Sequence, residues 1–168
     1  RGSLLKYGHL AIKQYWQVII DKVFWVFLIG GLSAYSVVTA YSVMTPFLFQ
    51  KTIGMSVHEY GLISIVVAIP YWIGAFISKR LVKKTGTKFF MYIGSLIIII
   101  SGIVLIILKL YITHINLYIV LIPFCFAVFG QALVWSNAMS EALQGCSSFA
   151  GIASAFFGCC QFGISAIV

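Results

Sequence analysis

Five long apolar runs, separated by short polar links, set the pattern of this chain. Each run has about the 20 residues that a helix needs to cross a bilayer. Short links make consecutive spans antiparallel neighbours. The pattern therefore predicts an all-α integral membrane protein with five transmembrane helices. We place these spans at about residues 23–49, 60–78, 89–108, 117–140 and 149–168.

Composition supports this fold class. Hydrophobic residues make up 62% of the 168 residues and charged residues only 8%, whereas soluble domains carry about 25% charge. The formal net charge of +8 would indicate nucleic-acid binding in a soluble protein. Here the basic residues lie between the apolar runs and share no single surface. We therefore predict a lipid bilayer as partner and no nucleic acid.

The basic residues fall mainly on one side of the predicted membrane. Nine of the 11 lie in the N-terminal segment or between the second and third spans, and only Lys51 and Lys109 lie on the other side. Because cytoplasmic loops are enriched in Lys and Arg, residues 1–21 and 79–88 are predicted to be cytoplasmic. Residues 1–21 mix apolar and charged positions, which is typical of an interfacial segment; an unstructured linker is the alternative. Residues 22–168 form the membrane bundle.

Polar side chains recur on one stripe of the first span. Tyr35, Thr39 and Ser42 follow helical spacing, and polar groups at membrane depth usually face protein or a cavity. Alternatively, these hydroxyls bond their own backbone carbonyls. The fourth span carries two amide side chains, Gln131 and Asn137. We predict one cavity lined by Tyr35, Thr39, Ser42, Gln131, Trp135 and Asn137.

Glu141 is a candidate proton-coupling group. It shares a helical face with Asn137 near the predicted cytoplasmic end of the fourth span, where a carboxylate can also stay ionised in water. The chain has only two other acidic residues, Asp21 and Glu59, and its four cysteines are scattered. Because paired acids and bases and clustered metal ligands are missing, we predict no catalysis, no metal site and no cofactor.

The third and fifth spans indicate different surroundings. The third is apolar all round and suits a peripheral, lipid-facing position. The fifth carries small residues at four-residue spacing, which let helix backbones approach closely. We predict helix packing through Gly151, Ala155 and Gly158; a hinge role is the alternative.

The segment between the second and third spans resembles a signature loop of the major facilitator superfamily. Residues 74–88 contain the positions that match that signature and one position that departs from it. Lys83 stands where the family has an acid, as in the degenerate copy found in the C-terminal half of these transporters. The motif positions are Gly74, Arg80, Lys84, Gly86 and Lys88.

Two further stretches resemble the Bcr/CflA drug-efflux branch of that superfamily. Residues 41–61 resemble its seventh helix and following loop, and residues 130–161 its tenth and eleventh helices. The resemblance implies helices seven to eleven of a twelve-helix transporter, with helices seven and ten lining the cavity and helix nine at the periphery. It thus implies a C-terminal half-bundle without its last helix, whose partners are the N-terminal half and a small-molecule substrate held in the predicted cavity.

The implied function is proton-coupled export of small amphipathic compounds across a bacterial inner membrane. The alternatives are a nutrient uptake transporter of the same fold and a non-transporting membrane scaffold. The chain does not begin with Met and ends inside an apolar run at Val168. We therefore expect it to be a piece of a longer protein.

Overall fold

The computed structural model describes residues 14–111, 116–146 and 149–167. Within these ranges, five helices are long and apolar enough to cross a membrane, which confirms the predicted all-α membrane bundle. Residues 1–13, with three of the basic positions, and Val168 lie outside the described residues. The five helices are α1 (Lys22–Phe47), α2 (Val57–Thr85), α3 (Thr87–Tyr111), α4 (Leu117–Gln144) and α5 (Ala150–Ile167).

Side-chain caps fix where α1 and α2 begin. The Asp21 carboxylate accepts a hydrogen bond from the Val23 backbone N–H at 2.8 Å, which satisfies a donor that the first turn of a helix leaves free. At the start of α2, Ser56 and Glu59 form a reciprocal capping box. Both acids thus have a structural task at a helix end.

The end of α1 is irregular because of Pro46. Proline has no backbone N–H, so the carbonyl of Ser42 loses its helical donor. The Thr45 hydroxyl replaces that donor, bonding the Ser42 carbonyl at 3.2 Å. The chain then continues as a π-helical turn over Leu48–Thr52.

The segment from residue 79 to 88, predicted as a loop, is almost entirely helical, so that prediction is wrong. α2 runs on to Thr85, and Gly86 alone separates it from α3. Lys and Arg are good helix formers, which explains why the basic run extends the helix. Gly86 has φ of 84°, a left-handed value that glycine adopts without strain, and this ends α2.

The helix α4 is the most buried of the five and lies against all the others. Glycines set its closest contacts. A methyl group added to Gly94 of α3 would lie 2.6 Å from the Gly130 carbonyl oxygen of α4, and one added to Gly74 of α2 would lie 2.9 Å from the Phe129 carbonyl oxygen. The outer face of α3 is exposed, as expected for a peripheral helix.

At one end of the bundle, α1 and α3 begin and α2 and α4 terminate. We call it the basic end, because the lysines and the arginine of residues 79–88 lie there. Its apolar core joins α1, α4 and α5 through residues such as Phe24, Leu28 and Phe157. Residues 14–20 are helical, and Val18 is fully buried in this core. Residues 14–20 are therefore anchored to the bundle, although Trp16 among them is exposed.

At the end of the bundle opposite the basic end, aromatic side chains connect the helices. The Tyr41 ring of α1 stacks on Phe124 of α4, with ring centroids 3.6 Å apart. The Tyr41 hydroxyl donates to the Val120 carbonyl at 3.1 Å. Tyr60 of α2 hydrogen-bonds Thr45 of α1 at 3.2 Å. These contacts hold α1 against both α2 and α4.

Candidate functional site

Three aromatic side chains from three helices meet on one side of α4. The ring centroids of Tyr35 and Trp135 are 5.1 Å apart, and those of Trp135 and Phe157 are also 5.1 Å apart. Ser165 of α5 donates to the Tyr35 hydroxyl at 3.5 Å. We call Tyr35, Trp135 and Phe157 the aromatic cluster. Tyr35 and Trp135 are half-buried, so the cluster presents part of its ring surface outward.

The two hydroxyls predicted beside Tyr35 bond their own helix. Thr39 donates to the Tyr35 carbonyl at 2.9 Å, and Ser42 donates to the Val38 carbonyl at 2.8 Å. A hydroxyl group that donates one such bond can still accept another hydrogen bond through its oxygen. Ser42 also lines a cavity of about 270 Å³ with Tyr60 and Phe124, towards the opposite end.

Gln131 and Asn137 of α4 do not lie together. Gln131 is one turn before Trp135, on nearly the same face of α4, and is buried. Asn137 is about 160° away from Trp135 at 3.6 residues per turn. Its amide donates to the Ser78 hydroxyl of α2 and to the Leu133 carbonyl, both at 2.7 Å. The structure thus turns Asn137 towards α2 and away from the aromatic cluster.

A polar cleft of about 430 Å³ opens at the basic end between α2, α3 and α4. Lys79 and Lys83 line it from α2, and Asn137 and Glu141 line it from α4. The Glu141 carboxylate accepts a hydrogen bond from the Thr87 hydroxyl at the start of α3. The candidate proton-coupling residue is therefore half-buried in a cleft with two cations nearby, away from the aromatic cluster.

The residues of the sequence motif between α2 and α3 have separate positions. Gly74 is buried in the middle of α2 against α4, and Gly86 ends α2. Arg80, Lys84 and Lys88 are exposed. In the structure the motif thus comprises a helix contact, a helix end and an exposed basic surface.

The small residues of α5 do not make the predicted close contacts with the part of the chain that the structure describes. Gly151 and Ala155 are exposed and Gly158 is half-buried. The face of α5 that packs on the bundle carries Ala153 and Phe157 instead. The physical reason is that Phe157 fills the space between α1 and α4, which keeps the α5 backbone at a distance.

Sequence reasoning missed the partners Ser78, Thr87, Phe157 and Ser165. Each is a common residue type with no distinguishing motif around it. Only Ser78 had a usable signal, because Ser78 falls four residues after Gly74 on the same face of α2.

We expect Thr87→Val to lower the stability of the bundle, because it removes the donor to the Glu141 carboxylate at a helix junction. Hydrogen bonds to charged groups contribute about 1.5–3 kcal/mol. Thr85→Val is the matched control, since Thr85 is exposed and bonds only the Leu81 carbonyl of its own helix. The thermal unfolding midpoint of the purified full-length protein measures both; equal midpoints for the two variants would contradict the role given to Thr87.

The fold and the site define a helical membrane bundle with an open aromatic surface and a polar cleft at one end, as in membrane transporters. A family model described as the Major Facilitator Superfamily matches residues 4–168. The chain belongs to the major facilitator superfamily, whose members are transporters, and the resemblance predicted from its motifs is confirmed.

One curated protein is similar to most of this chain. The chain is 29% identical over 142 residues to a protein of Haemophilus influenzae (strain ATCC 51907 / DSM 11121 / KW20 / Rd) named bicyclomycin resistance protein homolog. The match covers 84% of this chain and 34% of that protein. The chain therefore spans about a third of the length of the curated relative that it matches. No solved structure matches the chain.

Proposed function

We propose that this chain forms most of the C-terminal half of a proton-coupled exporter of small amphipathic compounds in a bacterial inner membrane. The observation that carries this proposal is the aromatic cluster, in which Tyr35 and Trp135 from two helices offer half-buried rings side by side. Rings of this kind bind flat apolar groups, and their polar tips bind neutral polar groups.

The side chains around the cluster favour an amphipathic substrate over an ionic one. The side chains that we assign to the cavity on the Trp135 side of α4 are aromatic rings, hydroxyls and the Gln131 amide, and none of them carries a formal charge. A charged ligand at membrane depth would need a counter-charge. The name of the relative from Haemophilus influenzae, bicyclomycin resistance protein homolog, favours export over nutrient uptake.

Glu141 is the acid that we assign to proton coupling. Asp21 caps α1 and Glu59 caps α2, so both have structural tasks. Glu141 lies in the polar cleft at a junction of three helices, where a change of its charge alters the contact with Thr87. Transport itself needs a second half that rocks against this one around a midplane site.

Accumulation of bicyclomycin in efflux-deficient bacterial cells tests the proposal. Cells that express the full-length protein should accumulate less drug than cells with an empty vector, and a protonophore should remove the difference. Equal accumulation, or an inward flux driven by the protein, would overturn export. Glu141→Gln keeps an acceptor for Thr87 but cannot ionise; if its export stays equally sensitive to the protonophore, the coupling role of Glu141 is wrong while export stands.

A further inference from the structure

The helical extension of α2 gathers four cations on one face. Lys79, Arg80, Lys83 and Lys84 occupy positions i, i+1, i+4 and i+5, which span an arc of about 140° at 3.6 residues per turn. All four are exposed. In a loop these charges would spread apart; on the helix they form one basic surface.

The same arc of α2 continues towards the middle of the helix as an apolar surface. Ile65, Ile69, Trp72 and Phe76 lie on it, and each is more than half exposed. The Arg80 guanidinium lies over the Phe76 ring, 4.6 Å from its centroid. This contact joins the basic and the apolar parts of the face, which is directed away from α4.

An apolar groove runs beside this face between α2, α3 and α4. Its volume is about 360 Å³, and it is lined by Pro70, Ile73, Ile97, Cys125, Phe126 and Phe129. Ile73 lies seven residues before Arg80, or about 10 Å along the helix at 1.5 Å per residue. An elongated molecule with an apolar tail and an anionic head would fit the groove and the basic surface together.

The acids of this chain have other partners. Asp21 accepts from the backbone of α1, Glu59 bonds Ser56 at the opposite end, and Glu141 bonds Thr87. Lys79 and Lys83 line the polar cleft beside Glu141, whereas Arg80 and Lys84 are exposed and do not line it. Clusters of Lys and Arg next to the cytoplasmic end of a membrane helix attract anionic lipid headgroups.

We propose that α2 binds one anionic phospholipid, with the headgroup phosphate at Arg80 and Lys84 and an acyl chain in the groove at Pro70 and Ile73. The continuity of charge and apolar surface selects a lipid over a soluble phosphate, since a soluble anion would not occupy the groove. This site does not depend on the transport activity proposed above, because it lies on the outer face of α2.

Native mass spectrometry of the full-length protein tests the proposal with phosphatidylglycerol and phosphatidylcholine as probes. The wild type should retain phosphatidylglycerol over phosphatidylcholine by roughly tenfold or more, since each cation near the headgroup adds attraction. The double variant Arg80→Gln/Lys84→Gln should lose this preference. The matched control Lys51→Gln/Lys109→Gln removes the two cations of the opposite end and should keep it.

Other results would overturn the site. Equal retention of the two lipids by the wild type would mean that another part of the protein covers this face. Equal loss in the control variant would mean that total charge, and not this surface, holds the lipid. Ile73→Trp, which fills the groove, should reduce retained phosphatidylglycerol; if it does not, and sn-glycerol 1-phosphate competes as well as the lipid, only a headgroup site exists and the lipid proposal is wrong.

Discussion

Gly94→Ala should destabilise the bundle by about 1–3 kcal/mol, the usual cost of overpacking a well-packed contact. The added methyl group would lie 2.6 Å from the Gly130 carbonyl oxygen and 2.8 Å from a methyl of Val134. A backbone oxygen cannot move aside as a flexible side chain does. The helices α3 and α4 must therefore separate along their crossing, and α4 is the helix on which the others pack.

Gly102→Ala on the same helix is the matched control. A methyl group at Gly102 meets nothing within 4 Å, and alanine favours a helix over glycine by about 1 kcal/mol. Its thermal unfolding midpoint in detergent should equal or exceed that of the wild type, whereas the midpoint of Gly94→Ala should fall. A fall of the same size in both variants would show that α3 tolerates no added carbon and that the contact with Gly130 is not the cause.

Gly130→Ala should cost about as much as Gly94→Ala, because its methyl group would lie 2.7 Å from the Gly94 carbonyl oxygen. The double variant should cost less than the sum, since either methyl group separates the same two helices. This non-additivity distinguishes a shared crossing from two independent defects. Additive losses would contradict the close approach of these two glycines.

The sequence predicts the number and type of helices well because the bilayer sets both. Hydropathy alone locates the five spans, and the resemblance of residues 74–88 to a signature loop indicates the family. Hydropathy does not locate the end of α2, because basic residues leave the membrane while remaining helical. The helix therefore continues to Thr85, where the positive φ of Gly86 ends it.

The candidate site could be predicted only one helix at a time. The spacing of Tyr35, Thr39 and Ser42 predicts that they share one stripe of α1, because in a helix residues three and four apart lie on the same face. The rotation of α4 about its axis does not follow from its own sequence. It depends on the glycine contacts with α2 and α3, which turn Asn137 towards Ser78 and leave Trp135 beside Tyr35.

On the proposed export function, Trp135→Ala should reduce export by about tenfold or more, because aromatic anchors such as Trp contribute most of the binding energy at many interfaces. The variant removes the ring that lies between Tyr35 and Phe157, and with it the surface offered to the substrate. Efflux of bicyclomycin from cells that express the full-length protein measures the effect. Trp135→Phe should recover part of the export, since a smaller ring can still contact both neighbours.

Trp72→Ala is the matched control for the loss of a tryptophan. Trp72 is 78% exposed on the outer face of α2, far from the aromatic cluster, so its removal should leave export near the wild-type rate. Membrane levels and unfolding midpoints of the Trp135 variants must be compared as well, because Trp135 also packs on Phe157 at 5.1 Å. Wild-type export by a well-folded Trp135→Ala protein would place the substrate elsewhere in the bundle.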